Sequence, residues 1–248
     1  MIAYLVRQDL AQRFAGNTLG LAWAVLAPLL QLAVFATVFQ LIFKARVPGL
    51  DGAGYVVYLS LGMWPWFALS DAIGRGATTY TDQAALLSKV AIAPWKLVAA
   101  RVITAFLLHG LGFLVVTILL WLFTPHVTPA WLPLTLPAWI ALAGIAFAGA
   151  MWVAVLNVFF RDVQQIAQYL LTAFMFMTPI LYAASTGPEA LARAQQWNPF
   201  ASAIGGIRDP LMGQGWQSPW LAWLFAVLAL AVALWSYRRF RSSLVDFL

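Results

Sequence analysis

The 248-residue sequence has no cysteine, only two histidines and only 9% charged residues. Without cysteine there is no disulfide framework, no thiolate metal site and no cysteine nucleophile. A soluble domain carries about a quarter charged residues, so this chain cannot cover itself in water. Nor does it contain the phosphate-binding pattern G-x-x-x-x-G-K-[ST], the zinc pattern H-E-x-x-H or the nucleophile pattern G-x-S-x-G. Its Asp and Glu residues are dispersed over loops and the ends of apolar runs, which leaves no pair for acid-base chemistry and no central proton relay. The chain is therefore not expected to hydrolyse ATP itself.

What the sequence does have is apolar surface: 63% hydrophobic residues, 15% aromatic, and a mean hydropathy of +0.85. A bilayer core of ~30 Å needs about 20 apolar residues per helix. The apolar runs then predict an all-α, polytopic membrane protein with six transmembrane helices, at about 19–43, 55–73, 97–123, 137–160, 166–184 and 219–237. One transmembrane domain, 1–248, is expected, with an interface helix over 1–18 and an external, gate-like segment over 185–218.

The opening MIAYLVRQDLAQRF lacks the clean apolar core of a signal peptide. Ile2, Val6, Leu10 and Phe14 recur every four residues, with Gln8, Asp9 and Gln12 on the other side, as in an amphipathic helix at the membrane surface. Asp9 with Arg13, and Asp71 with Arg75, are each spaced for an i,i+4 ion pair. The net charge of +6 comes from basic residues scattered between apolar blocks, which points to membrane orientation and away from nucleic acid. With six spans, ten Lys and Arg fall on the side of the termini and four on the other, which puts both termini in the cytoplasm.

Within the spans, His109 is expected to be packed between helices, and Gly144, Ala148 and Gly149 to allow close helix approach. The segment after the fifth span is broken by Gly187-Pro188, Asn198-Pro199 and Asp209-Pro210, a pattern that suits short re-entrant helices, either a gate or a structural cap. Gln31, Phe35, Phe39 and Phe43 share one face of the first span. Trp64 and Trp66 lie in the second, and Tyr169 and Phe176 in the fifth. Such faces either line a path for sugars, which stack on aromatic rings, or pack against lipid and neighbouring helices.

Four elements in order carry a resemblance. RQDLAQRFAGNTLGLAWAVLAPLL contributes Asp9, Leu10, Arg13, Phe14, Leu19, Gly20, Trp23 and Pro28, and LLSKVAIAPW contributes Leu86, Leu87, Lys89, Val90 and Pro94. FFRDVQQIAQYLLTAFMFMTPILYA contributes Arg161, Asp162, Pro179, Ile180 and Tyr182, and WNPFASAIGGIRDPL contributes Asn198, Pro199 and Arg208. Together they cover nearly the whole chain and resemble the polysaccharide-export permeases of the ABC-2 type, most closely the branch that exports O-antigen and teichoic-acid chains. Thr18 and Phe14, where serine and tyrosine are common, and Ala93-Pro94 in place of Phe-Pro, are mild departures.

The resemblance implies a homodimer of six-span subunits joined to two copies of a separate nucleotide-binding ATPase. Together these would move an undecaprenyl-linked polysaccharide across the bacterial inner membrane. It implies no cofactor on this chain, with ATP and Mg held by the partner subunit. It also implies that Arg7, Asp9 and Arg13 of the surface helix, with Leu86, Leu87 and Lys89, face the ATPase, and that the aromatic faces line a sugar path. The alternatives are an exporter of a drug or small lipid on the same architecture, and a membrane scaffold subunit without transport.

Overall fold

A computed structural model describes residues 1–16, 18–35, 37–38, 50, 52–89, 92–183 and 189–244, and the described residues form helices and turns without a strand. The helices are α1 (Ile2–Phe14), α2 (Trp23–Phe35), α3 (Gly52–Ala77), α4 (Thr79–Asp82), α5 (Ala84–Lys89), α6 (Trp95–Phe123), α7 (Leu136–Phe159), α8 (Val163–Met177), α9 (Glu189–Gln195), α10 (Pro199–Leu211) and α11 (Trp220–Leu244). A 3-10 turn over Pro129–Thr135 leads into α7. Among the described residues four stretches are long and apolar enough to cross a membrane: Gly52–Ala77, Trp95–Phe123, Pro129–Phe159 and Trp220–Phe240. At 13 and 15 residues, α2 and α8 are shorter. The expected fifth run to residue 184 turns earlier, because α8 stops at Met177 and Thr178 takes an extended backbone just before Pro179.

α3 is the centre of the bundle, buried on nearly every side, as an all-round apolar helix must be when it is not facing lipid. α6 and α7 flank it, α11 packs on α7, and α10 lies across α3 and α7. Small residues set these distances. A Cβ on Gly76 of α3 would overlap Ala150 of α7. One on Gly149 would come within 3.0 Å of Ile73, and one on Gly144 within 3.3 Å of Ala226 in α11. The small-residue face of the fourth predicted span is thus the seam between α7 and its two neighbours.

α1 packs at one end of the bundle. Its Leu5 and Val6 bury against Leu97 and Ala100 of α6, with Leu86 and Leu87 of α5 alongside, as a small cluster apart from the main core. The apolar stripe is there, but its neighbour is protein, and Asp9, expected on the wet side, is buried within it.

Candidate functional site

Two polar clusters sit at opposite ends of α3. At its C-terminal end, Arg13 of α1 donates to Asp71 at 2.6 Å, and Arg75 donates to Asp9 of α1 at 2.7 Å. The i,i+4 pairs expected within each helix are replaced by two crossed pairs between helices, because α1, packed along α6, brings its acid and base opposite those of α3. Arg101 of α6 joins the cluster, donating to the Arg75 carbonyl at 2.6 Å and to Asp82 at 2.9 Å. The Arg75 carbonyl, in the last turn of α3, also accepts from the Thr79 hydroxyl at 3.4 Å. His109 brings Nε2 within 3.3 Å of the Asp71 carboxylate and places its ring beside Phe67, between helices as expected.

Above this cluster opens a cleft of about 730 Å³ between α1, α2, α3, α6 and α8. Its walls carry Trp23, Pro28 and Gln31 from α2, Trp64, Ser70 and Asp71 from α3, His109 from α6, and Gln164 and Gln168 from α8. The cleft exists because α2 approaches α6 where Gly112 has no side chain: a Cβ there would meet Pro28 and the Trp64 indole nitrogen, each at 3.0 Å. Amides, an acid and an imidazole beside indole faces are the groups that hold a hydroxyl-rich, ring-shaped ligand. A second cavity, about 760 Å³ between α6 and α7, is walled almost entirely by apolar side chains such as Phe106, Phe113 and Trp139. Among the described residues no cluster of His, Asp and Glu could hold a metal ion.

At the other end of α3, Tyr58 donates to the carbonyls of Pro179 and Tyr182, both at 3.0 Å, and Tyr55 donates to the Leu181 carbonyl at 2.8 Å. These phenols hold the turn that ends α8. Arg208 of α10, buried to 7% exposure, donates to the Pro179 carbonyl at 2.8 Å and stacks over the Tyr58 ring. Burial pushes the neighbouring Asp209 carboxyl above its ordinary range, and the Arg208 charge pulls against that shift. Asn198 caps α10 by accepting from the backbone of Phe200 and Ala201, and its amide donates to Thr178.

The expected site residues distribute as follows. Gln31 and Trp64 line the cleft, and Phe35 packs edge-on to Trp64 and stacks on Phe67 behind it. Trp66 is buried against Phe200, away from the cleft, while Tyr169 and Phe176 are exposed on α8. Phe39 and Phe43 lie outside the described residues. Leu86 and Leu87 meet α1, with Arg7 and Lys89 exposed on the same end of the bundle, and Arg13 and Asp9 are held in the crossed pairs. Gly20 takes a left-handed backbone, φ +47, at the turn into Trp23, and Arg161 with Asp162 forms the turn between α7 and α8.

Sequence reasoning missed Gln164 and Gln168, although their i,i+4 spacing on an otherwise apolar helix is a readable signal. It also missed that Arg208 is a buried anchor.

The profile of the ABC-2 type transporter family matches residues 2–212, which spans α1 to α10 and contains both clusters and the cleft. The chain belongs to that family. It is 29% identical over 196 residues to the O-antigen export system permease protein RfbA of Myxococcus xanthus, covering 78% of this chain and 72% of that protein. A protein of the same name from Klebsiella pneumoniae is 26% identical over 221 residues, covering 86% and 80%. A further Klebsiella pneumoniae permease of that name is 25% identical over 218 residues, with the same shares. As an ABC-2 permease the chain is an integral membrane component of a transport system.

Proposed function

We propose that this ABC-2 permease is the membrane subunit of an exporter for lipid-linked, O-antigen-like polysaccharide. In this reading six spans per copy, at the limits given from the sequence, cross the bacterial inner membrane with both termini in the cytoplasm. A second copy completes the path, and two separate ATPase subunits hold ATP and Mg and supply the work. ATP acts by favouring one conformation of the permease over another. The outer surface of α1 and α5, with Arg7 and Lys89, is the docking face for the ATPase, and Asp9, Arg13, Leu86 and Leu87, assigned to the same coupling by the resemblance, lie behind it and hold the two helices to the bundle. Gln31, Phe35, Phe39, Phe43, Trp64, Trp66, Tyr169 and Phe176 are assigned to the sugar path or its packing. α10 and the turn at Pro179 form the external gate.

The observation that carries this reading is the cleft itself, whose amide and indole walls are flanked by two helices that the isolated chain leaves largely bare. α2 has no buried residue, and α8 buries only Ala167 and Leu171. Apolar helices left uncovered beside a polar cleft favour a second copy closing over them. The similarity to three permeases named for O-antigen export supports the choice of cargo.

The test is purification of the tagged chain from native membranes in mild detergent, identification of what comes with it, and an ATPase assay with added lipid-linked glycan. Co-purification of an ATPase whose turnover rises with glycan is the expected result. An ATPase that ignores glycan would indicate a drug or small-lipid exporter, and no ATPase would indicate a scaffold.

A further inference from the structure

α6 separates two cavities. His109 and Gly112 line the polar cleft, whereas Leu107, Gly110 and Leu114, on the far face of the same helix, line the apolar cavity between α6 and α7. That second cavity, about 760 Å³, lies outside the path assigned to cargo, and the function proposed above makes no use of it.

Its floor is aromatic. Trp139 stands edge-on to Phe106 and Phe113, with ring centres 6.0 and 5.1 Å away. Above the rings the slot is open, since a Cβ on Gly110 would meet no atom within 4 Å. Among the described residues lining it there is no charged side chain, and the Thr135 hydroxyl already donates to the Leu132 carbonyl. Water finds no partners in such a slot, and an empty one forfeits the dispersion contacts of its walls.

The depth and one end of the slot fit a lipid tail. From Val102 to Leu114 it runs along about 18 Å of α6. One leaflet of a ~30 Å hydrocarbon core has nearly that depth. The Pro129–Thr135 turn closes one end, where Trp131 and Trp216 are exposed and the Trp216 indole donates to the Leu134 carbonyl at 3.2 Å. Exposed tryptophans at a span end belong at headgroup level. A chain entering beside that turn reaches the aromatic floor within one leaflet.

The rims tell a chain from a helix. Leu107, Leu111, Leu136 and Ile140 stand exposed along them, in place of the small residues that let membrane helices approach closely. They hold a second helix off, while a flexible hydrocarbon chain passes between them.

We propose that the slot between α6 and α7 is a binding site for an acyl chain of a bilayer phospholipid whose headgroup lies beside the Pro129–Thr135 turn. The site is independent of the cargo, because α6 stands between it and the cleft.

The test uses the full-length chain in phosphatidylethanolamine vesicles containing a phosphatidylcholine with a diazirine on one acyl chain. One sample is photolysed in the vesicles and another after extraction and washing in lipid-free detergent, and labelled residues are located by mass spectrometry. Leu228 and Val232 of α11, exposed but not part of the slot, report ordinary boundary lipid. Washing is expected to deplete label at α11 about tenfold more than in the slot, the ratio that ~1.4 kcal/mol of added affinity produces. Gly110→Trp fills the slot from its open side. It should abolish the label retained there while leaving the unwashed label at α11 as in wild type.

Equal depletion of the two surfaces in the wild-type chain overturns the proposal, whether or not the variant folds. So does label retained in the slot of Gly110→Trp. A slot that takes no label in the vesicles also overturns it, and a disulfide between copies through Leu107→Cys, in a chain with no cysteine of its own, would then name a second copy as the occupant. None of these results bears on the exporter reading, and an ATPase indifferent to glycan would leave the lipid site standing.

Discussion

The Arg208 guanidinium sits 3.8 Å from the centre of the Tyr58 ring while donating to the carbonyl of Pro179, so one side chain joins α10, α3 and the turn that ends α8. An arginine this buried is tolerated because its charge has a carboxylate at 3.3 Å, a carbonyl and an aromatic face to replace water. Removing it strands Asp209. Arg208→Leu is expected to cost about 3 kcal/mol or more, in the range for breaking a buried pair. Tyr58→Phe, which takes a donor from the Tyr182 carbonyl while Arg208 still holds that of Pro179, is expected to cost about 1 kcal/mol. Thermal unfolding in detergent, followed by size-exclusion fluorescence, ranks the two.

Asp209 gives the same cluster a pH dependence. Its folded pKa lies above the ordinary carboxylate value because burial disfavours the charge. In the window between those two values the folded chain holds a proton that the unfolded chain has lost. This contribution to stability is complete below the ordinary value and is lost as pH rises through the raised one. Asp209→Asn cannot titrate. The difference in melting temperature between wild type and Asp209→Asn should shift in favour of the variant as pH rises from about 4 to 7. A difference flat across that range would show that the carboxyl carries no shift.

Two glycines in the bundle should respond oppositely to the same methyl group. At Gly76 a Cβ has no room against Ala150, whose backbone is also close, so Gly76→Ala must push α3 and α7 apart. The expected cost is about 1–3 kcal/mol, as for other overpacked cores. At Gly110, inside α6, nothing lies within 4 Å of the added atom, and the residue faces the apolar cavity beside α7. Gly110→Ala should be neutral, or stabilising by up to about 1 kcal/mol through helix propensity. Melting temperatures of the two single variants check both signs.

The architecture was readable where apolar length decides it. The runs after residues 52, 95, 136 and 219 became long helices, and the Gly144 to Gly149 face became the packing seam. Charge pairing was not readable. Asp9 with Arg13, and Asp71 with Arg75, have ideal spacing for pairs within one helix, and only the packing of α1 on α6, beside the end of α3, exchanges their partners. Spacing reports what one helix offers and not what a neighbour outbids. The burial of Arg208 was unreadable for the same reason, since the carbonyl it donates to comes from a turn 29 residues away. The cleft was half legible: Gln31 and Trp64 were named from their helices, while His109, Gln164 and Gln168 join them only through tertiary packing.

The last prediction separates lining from packing inside that cleft. Phe35 touches Trp64 and Phe67, so Phe35→Ala removes support from the wall as well as any contact with cargo, and a loss of export would be ambiguous. Gln31 and Gln168 are exposed, line the cleft, and reach it from α2 and α8. If the cleft handles hydroxyl-rich cargo, each amide offers hydrogen bonds worth about 1 kcal/mol net apiece. Gln31→Leu with Gln168→Leu should then lower the apparent affinity of glycan for stimulating the ATPase by about tenfold to thirtyfold, the equivalent of 1.4–2 kcal/mol. Basal turnover and melting temperature should stay as in wild type, because neither side chain is buried. Full glycan stimulation at unchanged half-saturation in the double variant would take the sugar path out of this cleft.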